Sequence, residues 1–338
     1  MDRPIVAITM GDPAGIGPEI TAKSLARPDL YQICRPVVIG DARVMRQAVE
    51  VAGLDLGVSS IDSLNQGRYQ YGSIDVLDLG GIDMDQLKMG EVSAMCGRAA
   101  VAYTEAAGRM ALRGEIGAIV SAPLNKEAMR QAGFAYEGQT EIFGTLSGSK
   151  NYGMVLILDS LRLMLYSTHV SLRKACDLVK KETLLKKIRL CHEGLKWFNL
   201  PRRRIGVAAL NPHGGEGGLF GEEEVKEMIP AIQEAKQEGI DVVGPIPADT
   251  VFVKAKAGEL DIVLSMYHDQ GNIAMKLLGF GHVVTLLVGI PFIRTSTGHG
   301  TAFDIAGKNL ADPTNLTKAI GLAAQLATRQ GGAAAQPA

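Results

Sequence analysis

The chain has 338 residues, 46% of them hydrophobic, which is enough for a sizeable core and more than one domain and excludes disorder over most of its length. Lys plus Arg (35) nearly balance Asp plus Glu (36), so no positive field exists to hold nucleic acid or an anionic membrane, and any anion has to be bound at a local site. The four cysteines show no CxxC spacing, and no signal peptide or apolar run of transmembrane length is visible, so a cytoplasmic protein is expected.

Short β-branched runs alternate with longer amphipathic stretches from the start: a strand at Pro4–Met10, a helix at Pro18–Ala26, a strand at Pro36–Gly40 and a helix at Ala42–Ala52. That rhythm predicts βαβ units around a largely parallel sheet. Asp41 is placed as the cap of the second helix. Further strands are expected at Ser73–Leu77, Gly117–Ser121, Met154–Leu158, Leu161–Ser167, Ile205–Leu210, Ile262–Met266 and Val283–Leu287, with helices at Glu91–Arg113, Lys181–Trp197 and Glu222–Glu238. The acidic run Glu222–Glu224 suits the positive end of its helix dipole. Residues 331–338 carry almost no large apolar side chain and read as a disordered tail. No Pro/Ser/Gly linker divides the chain, so two domains would be interwoven, an expectation that places one at 1–135 plus 280–330 and the other at 136–279.

Glycine is in excess, 40 residues against an average usage of roughly 7%, and it concentrates in loops. The first such loop, Met10–Glu19, follows a strand and opens a helix, where α/β sheets place ligands. Its spacing is not GxGxxG, so it reads either as a ligand cradle or as a tight turn needing positive φ. Three histidines follow predicted strands: His169, His213 in Asn211–Glu216, and His268 in Tyr267–Gly271. Three neutral imidazoles from converging strand ends suit a divalent ion and leave a position open for substrate oxygen. His192, inside a helix, and His282, in a turn, read as structural. Asp269, beside His268, and Asp249 can each steady a metal-bound imidazole or act as a base, and Asp249 serves equally as a cap. Arg294 is a cation in an apolar stretch, which calls for an anionic partner, and Lys276, Thr295 and Ser296 add cations and hydroxyls nearby. The segment His299–Lys308 carries an imidazole, a hydroxyl and a carboxylate between glycines, and reads as a nucleotide-pocket lining or as a helix-capping turn.

The stretches Gly11–Glu19, Leu210–His213, Pro247–Thr250, Met266–Gly271 and Pro291–Ser296 together resemble the 4-hydroxythreonine-4-phosphate dehydrogenases of vitamin B6 synthesis, the PdxA family, along nearly the whole chain. The segment His299–Lys308 is similar to the cofactor loop of the wider isocitrate and isopropylmalate dehydrogenase-like fold. The resemblance implies that fold, a non-Rossmann α/β/α two-domain subunit. One domain would serve the NAD side; residues 136–279 would carry metal, substrate and dimerisation. The implied unit is a homodimer with a shared active site. His169, His213 and His268 become the ligands of one divalent ion, Zn, Mg, Mn or Co. Gln139, Thr140, Lys276, Thr285 and Arg294 become substrate contacts, Asp249, Asp269 and Lys276 catalytic groups, and His299, Gly300, Thr301 and Asp304 contacts to NAD.

The implied reaction is a metal-dependent, NAD-linked oxidation and decarboxylation of a phosphorylated four-carbon 3-hydroxy acid, such as 4-phosphohydroxy-L-threonine. Two positions depart from the B6 enzymes: Gln139 stands where they resemble Gly-His-Thr-Glu, and Thr285 where they carry a substrate-binding Asn. Gln cannot exchange a proton near pH 7 as His can. Other details, Ala122–Glu127 and Leu219–Gly221, are similar to a second branch that oxidises D-threonate or D-erythronate 4-phosphate in sugar-acid catabolism. A phosphate acyltransferase of related fold and a catalytically silent metabolite-binding protein are the rivals from other classes; neither has a use for three strand-end histidines.

Overall fold

A computed structural model describes residues 3–279 and 281–333. They fall into two compact units, one of the described residues up to Lys150 and from Ile290 on, the other of those from Asn151 to Gly289. The first junction falls beyond the expected 135/136 because the helix at Gln139–Ser147 packs on the long helix at Ala94–Leu112 and belongs to the first unit. The chain reaches the end of that helix before crossing over, and it returns at residue 290.

In the first unit the elements run β1 (Ile5–Thr9), α1 (Gly17–Leu25), α2 (Leu30–Ile33), β2 (Arg35–Gly40), α3 (Ala42–Val51), β3 (Gly57–Ile61), β4 (Ser73–Asp78), α4 (Ala94–Leu112), β5 (Ala118–Ser121), α5 (Lys126–Gln131) and α6 (Gln139–Ser147). β1, β2 and β5 are near-continuous Val, Ile and Ala runs buried along their length, as strands with both faces covered must be. Asp41 caps α3 as expected, its Oδ1 accepting from the Arg43 amide at 2.9 Å. Strand β3 was not anticipated, because it is an exposed strand of Gly, Val and Ser that pairs with β4 alone and needs no apolar face.

The second unit carries β6 (Gly153–Leu158), β7 (Leu161–Leu165), α7 (Leu172–Leu178), α8 (Lys181–Leu195), β8 (Ile205–Ala208), α9 (Ile229–Gln237), β9 (Val242–Ile246), α10 (Ala248–Lys256), β10 (Ile262–Ser265), α11 (His268–Gly279) and β11 (Val284–Val288). Here β11, β6 and β7 pair antiparallel, while β7, β10, β8 and β9 run parallel in that order. A buried cluster of Leu158, Leu163, Leu165, Val251, Val263 and Met275 fills its core.

The chain closes the first unit with β12 (Ile293–Thr297) and α12 (Thr314–Ala333). That unit's six strands are all parallel, ordered β3-β4-β2-β1-β5-β12. α12 packs on β12 and β5 and continues through Ala333, so Gly331 is still helical where a tail was expected to begin, and the rest of the expected tail, 334–338, lies outside the described residues. No helix among the described residues is long and apolar enough to cross a membrane.

Candidate functional site

The order of strands fixes where ligands can go in the first unit. From β1 the chain moves to one side through β2, β4 and β3, and β5 then falls on the other side. The loops after β1 and β5 therefore meet at a point where strand order reverses, the place open α/β sheets use for ligands. They do meet: Asp12 N donates to Pro123 O at 2.9 Å. Gly11 has φ +76°, and a Cβ there would sit 2.2 Å from Pro123 O, so no other residue fits. The tight-turn reading of Met10–Glu19 therefore holds at Gly11.

Behind this turn Asp12 is completely buried. Its Oδ1 accepts from Ala14 N at 2.9 Å, while Oδ2 has no partner among the described residues. Burial pushes the carboxyl up to about 6, against the opposing pull of backbone hydrogen bonds from Ala14 and Asn125. The turn also props the His299–Lys308 segment, because Ile16 N donates to Thr301 O at 3.0 Å and a Cβ on Gly90 would lie 2.5 Å from Phe303 O. The segment is a run of turns whose backbone is held while the side chains of His299 and Asp304 stand exposed. His299 Nδ1 lies 3.0 Å from Gly300 O, and Gly300 faces open space. A pinned backbone with an imidazole, a hydroxyl and a carboxylate free to bond suits the ribose hydroxyls of a nucleotide.

One strand further, β12 carries Arg294 into the interior, where it is 4% exposed. Its Nε donates to Ser121 Oγ and its Nη2 to Gln139 Oε1, both at 3.0 Å, and its guanidinium lies 5.5 Å from the centre of the Phe143 ring. Among the described residues no carboxylate bonds it. Burial alone pushes it down, to about 9, which leaves it charged at neutral pH. Two of its five N–H groups are used, which leaves donors that an anion could accept from. Thr140, next to Gln139, is half-buried.

In the second unit the histidines are set by parallel neighbours. β7 and β10 pair with Leu165 opposite Ser265, so the segments leaving them emerge side by side. Ser167 Oγ donates to Met266 O at 2.9 Å and joins the two exits. This brings His169 and His268 together, ring centroids 6.1 Å apart, at a cavity of about 360 Å³ lined by Ser167–Leu172, Ala175 and Tyr267–Asp269. His268 and Asp269 open α11 and do not lie in a loop as expected. The Asp269 carboxylate sits 2.7 Å from His268 Nδ1, which leaves Nε2 for a ligand. One ion about 2.0–2.1 Å from a nitrogen of each ring, in tetrahedral geometry, would draw the rings somewhat closer than this.

His213 leaves β8, the other parallel neighbour of β10, and does not join that pair. Residues 213–217 all have positive φ, and this left-handed run places His213 6.4 Å from the Phe220 ring. Among the described residues no three His, Cys, Asp or Glu side chains gather within this chain as a metal site. The loop is anchored by Glu224, whose carboxylate accepts from Leu210 N, Asn211 N and Asn211 Nδ2 at 2.7–2.9 Å. In the sequence Glu224 read as a helix-dipole charge, yet it is buried and organises this loop.

Asp249 is exposed in the first turn of α10, Lys276 is exposed on α11 two turns beyond Asp269, and Thr285 is buried on β11. His192 lies within α8, its value lowered by burial, and His282 is exposed. Sequence reasoning missed Ser121, Phe143, Asp12 and Glu224, since nothing in their spacing announces burial.

A profile of the family described as "Pyridoxal phosphate biosynthetic protein PdxA" matches residues 32–323. The chain belongs to this family. A Symbiobacterium thermophilum protein named "Putative D-threonate 4-phosphate dehydrogenase" is 46% identical over 325 residues, 96% of this chain and 97% of its own length. Among solved structures, a 4-hydroxythreonine-4-phosphate dehydrogenase from Klebsiella pneumoniae is 41% identical with a TM-score of 0.91, covering 96% of this chain and 98% of its own. One from Burkholderia phymatum is 42% identical with a TM-score of 0.87, covering 96% and 99%. These relatives are dehydrogenases of phosphorylated hydroxy acids, in line with the expectation from sequence.

Proposed function

We propose that this chain is a cytoplasmic, NAD-linked, metal-dependent dehydrogenase that oxidises the C3 hydroxyl of a four-carbon sugar-acid phosphate and releases CO₂, with D-threonate 4-phosphate as its substrate. The observation that carries this reading is the uncompensated buried guanidinium of Arg294, a receptor shaped for a phosphate. The substrate follows the 46% identical relative. A second reading, 4-phosphohydroxy-L-threonine, with an amine in place of the C2 hydroxyl, is favoured by the names of the two solved structures.

Arg294 binds the phosphate away from the reacting carbon, so that binding energy orients the substrate. His169 and His268 present imidazole nitrogens to one divalent ion, and Asp269 holds the His268 ring in the tautomer that leaves Nε2 bare. His213 is the third ligand in this proposal, contributed within a homodimer whose active site uses residues of both subunits. The exposed apolar residues Ile273, Leu277 and Leu278 of α11 suit the second copy. When bound, the ion lowers the pKa of the substrate hydroxyl and NAD accepts the hydride. Lys276, with Asp249 or Asp269, takes the hydroxyl proton and returns one to the product carbon after CO₂ leaves. His299, Gly300, Thr301 and Asp304 hold NAD. The deciding experiment measures NAD reduction with D-threonate 4-phosphate, D-erythronate 4-phosphate and 4-phosphohydroxy-L-threonine under several metals. The highest kcat/KM is expected for D-threonate 4-phosphate, and no reduction with any of the three would reject the reading.

A further inference from the structure

Gln139 is the first residue of α6, and both ends of its amide are engaged. Oε1 accepts from Arg294 Nη2 at 3.0 Å, and Nε2 donates to the Ala122 carbonyl at 2.9 Å. Only one orientation of the amide can do this, since a guanidinium only donates and a carbonyl only accepts. The side chain is 8% exposed. Ala122 adjoins Ser121, which receives Arg294 Nε, so Gln139 ties the guanidinium to the same end of β5 by a second route.

We propose that Gln139 is a positioning residue, a neutral strut that aims Arg294 at the phosphate and leaves its charge uncompensated at every working pH. The inference rests on the phosphate-binding reading above and adds what sets the receptor's charge. A carboxylate here would pair with Arg294 and consume the charge meant for the ligand. A histidine, its value pushed down by burial and by the guanidinium beside it, would add a second cation to the receptor wherever it ionised. An amide does neither. The groups packed around the guanidinium are Ser121 of β5 and Gln139 and Phe143 of α6, none of which titrates in the working range. The charged side chains set beside the start of α6 are Lys126 of α5, which passes close to Gly138, and Glu141, which binds the Glu137 amide. Beyond these, Asp12, whose amide bonds Pro123 next to Ala122 and whose carboxyl lies at about 6, is common to wild type and variants, so recognition relative to wild type should follow the group at position 139.

The test compares wild type with Gln139→Met, Gln139→Glu and Gln139→His in NAD reduction with D-threonate 4-phosphate from pH 5.5 to 8.5. Calorimetric binding of inorganic phosphate runs alongside. Gln139→Met, close to Gln in volume, should raise KM about tenfold with kcat nearly unchanged, the loss of roughly one charge-assisted hydrogen bond. Gln139→Glu should raise it further, to about 100-fold. Gln139→His, held neutral by burial and by Arg294, should stay near wild type through neutral pH and fall behind it only at the acid end of the range. Phosphate affinity should follow the same order. A wild-type KM in Gln139→Glu, a Gln139→His variant that gains on wild type toward pH 5.5, or a loss of kcat alone in Gln139→Met would overturn the proposal. If wild type ignores D-threonate 4-phosphate while phosphate binding keeps the predicted order, the substrate reading fails and the strut stands; equal phosphate affinity in all four proteins overturns the strut.

Discussion

The two units prepare for a ligand in opposite ways. The first holds Arg294 buried, bonded at Nε and Nη2 and covered by Phe143. The second sets His169 and His268 at an open cavity with one orienting contact, His268 to Asp269, and leaves His213 exposed on a separate loop. A guanidinium keeps its charge and its planar fork of donors, so the protein can build the receptor completely and leave only the anion to arrive. Imidazoles brought close without an ion gain little from each other, so under the proposed function their final spacing would be left for the ion to set.

The largest effect is expected where the site is least finished. His268→Ala and His169→Ala should each lower metal occupancy, read by elemental analysis, and NADH formation together by on the order of 1,000-fold, because the charge on the reacting oxygens is lost with the ion. Full activity in a metal-stripped double variant would break the comparison at its second half. Arg294→Met should cost kcat/KM about 100-fold, mostly through KM, since charge-assisted bonds contribute roughly 1.5–3 kcal/mol each. A substrate without the phosphate should show no difference between the two proteins.

A smaller effect separates the units by pH. The buried Asp12 has a folded value of about 6, above its unfolded 3.8. The folded state thus holds a proton that the unfolded state has released between about pH 4 and 6, and stability falls as pH rises through that window. Denaturant titrations should show wild type losing on the order of 2–3 kcal/mol relative to Asp12→Asn between pH 4 and 7. Parallel curves would mean that Asp12 is charged in the fold. The smallest change is Asp41→Ala, which removes the cap of α3 and should cost about 1 kcal/mol while kcat/KM stays constant.

Much of the scaffold was legible because parallel strands buried on both faces leave unbroken apolar runs, as in β1, β2 and β5. The strands left unread lack that signature: β3 is exposed, β9 reads Val-Val-Gly-Pro-Ile with only Val242 buried, and β12 reads Ile-Arg-Thr-Ser-Thr, five residues buried despite four polar side chains. The anion receptor was half visible. A cation after Pro-Phe-Ile stood out, whereas Ser121 and Gln139 lie 173 and 155 residues away in sequence and became its partners only through the pairing of β12 with β5 and the start of α6. His169 and His268 were foreseeable as strand-end neighbours. The left-handed run that carries His213 elsewhere was not, because its six successive positive φ values, residues 213–218, include His213 and Glu216 as well as glycines.

α11 bears His268 and Asp269 in its first turn, and two turns later Leu277 is 85% exposed beside Ile273 at 65%. A helix moves largely as a rod, so whatever covers the apolar end also steadies the imidazole at the other. If a second copy covers it, the steadying obeys mass action, and the turnover of each chain becomes a function of how many chains are present. Specific activity would then fall on dilution well before the fold is lost, and the cell's stock of the protein would set its rate per molecule as well as its total output.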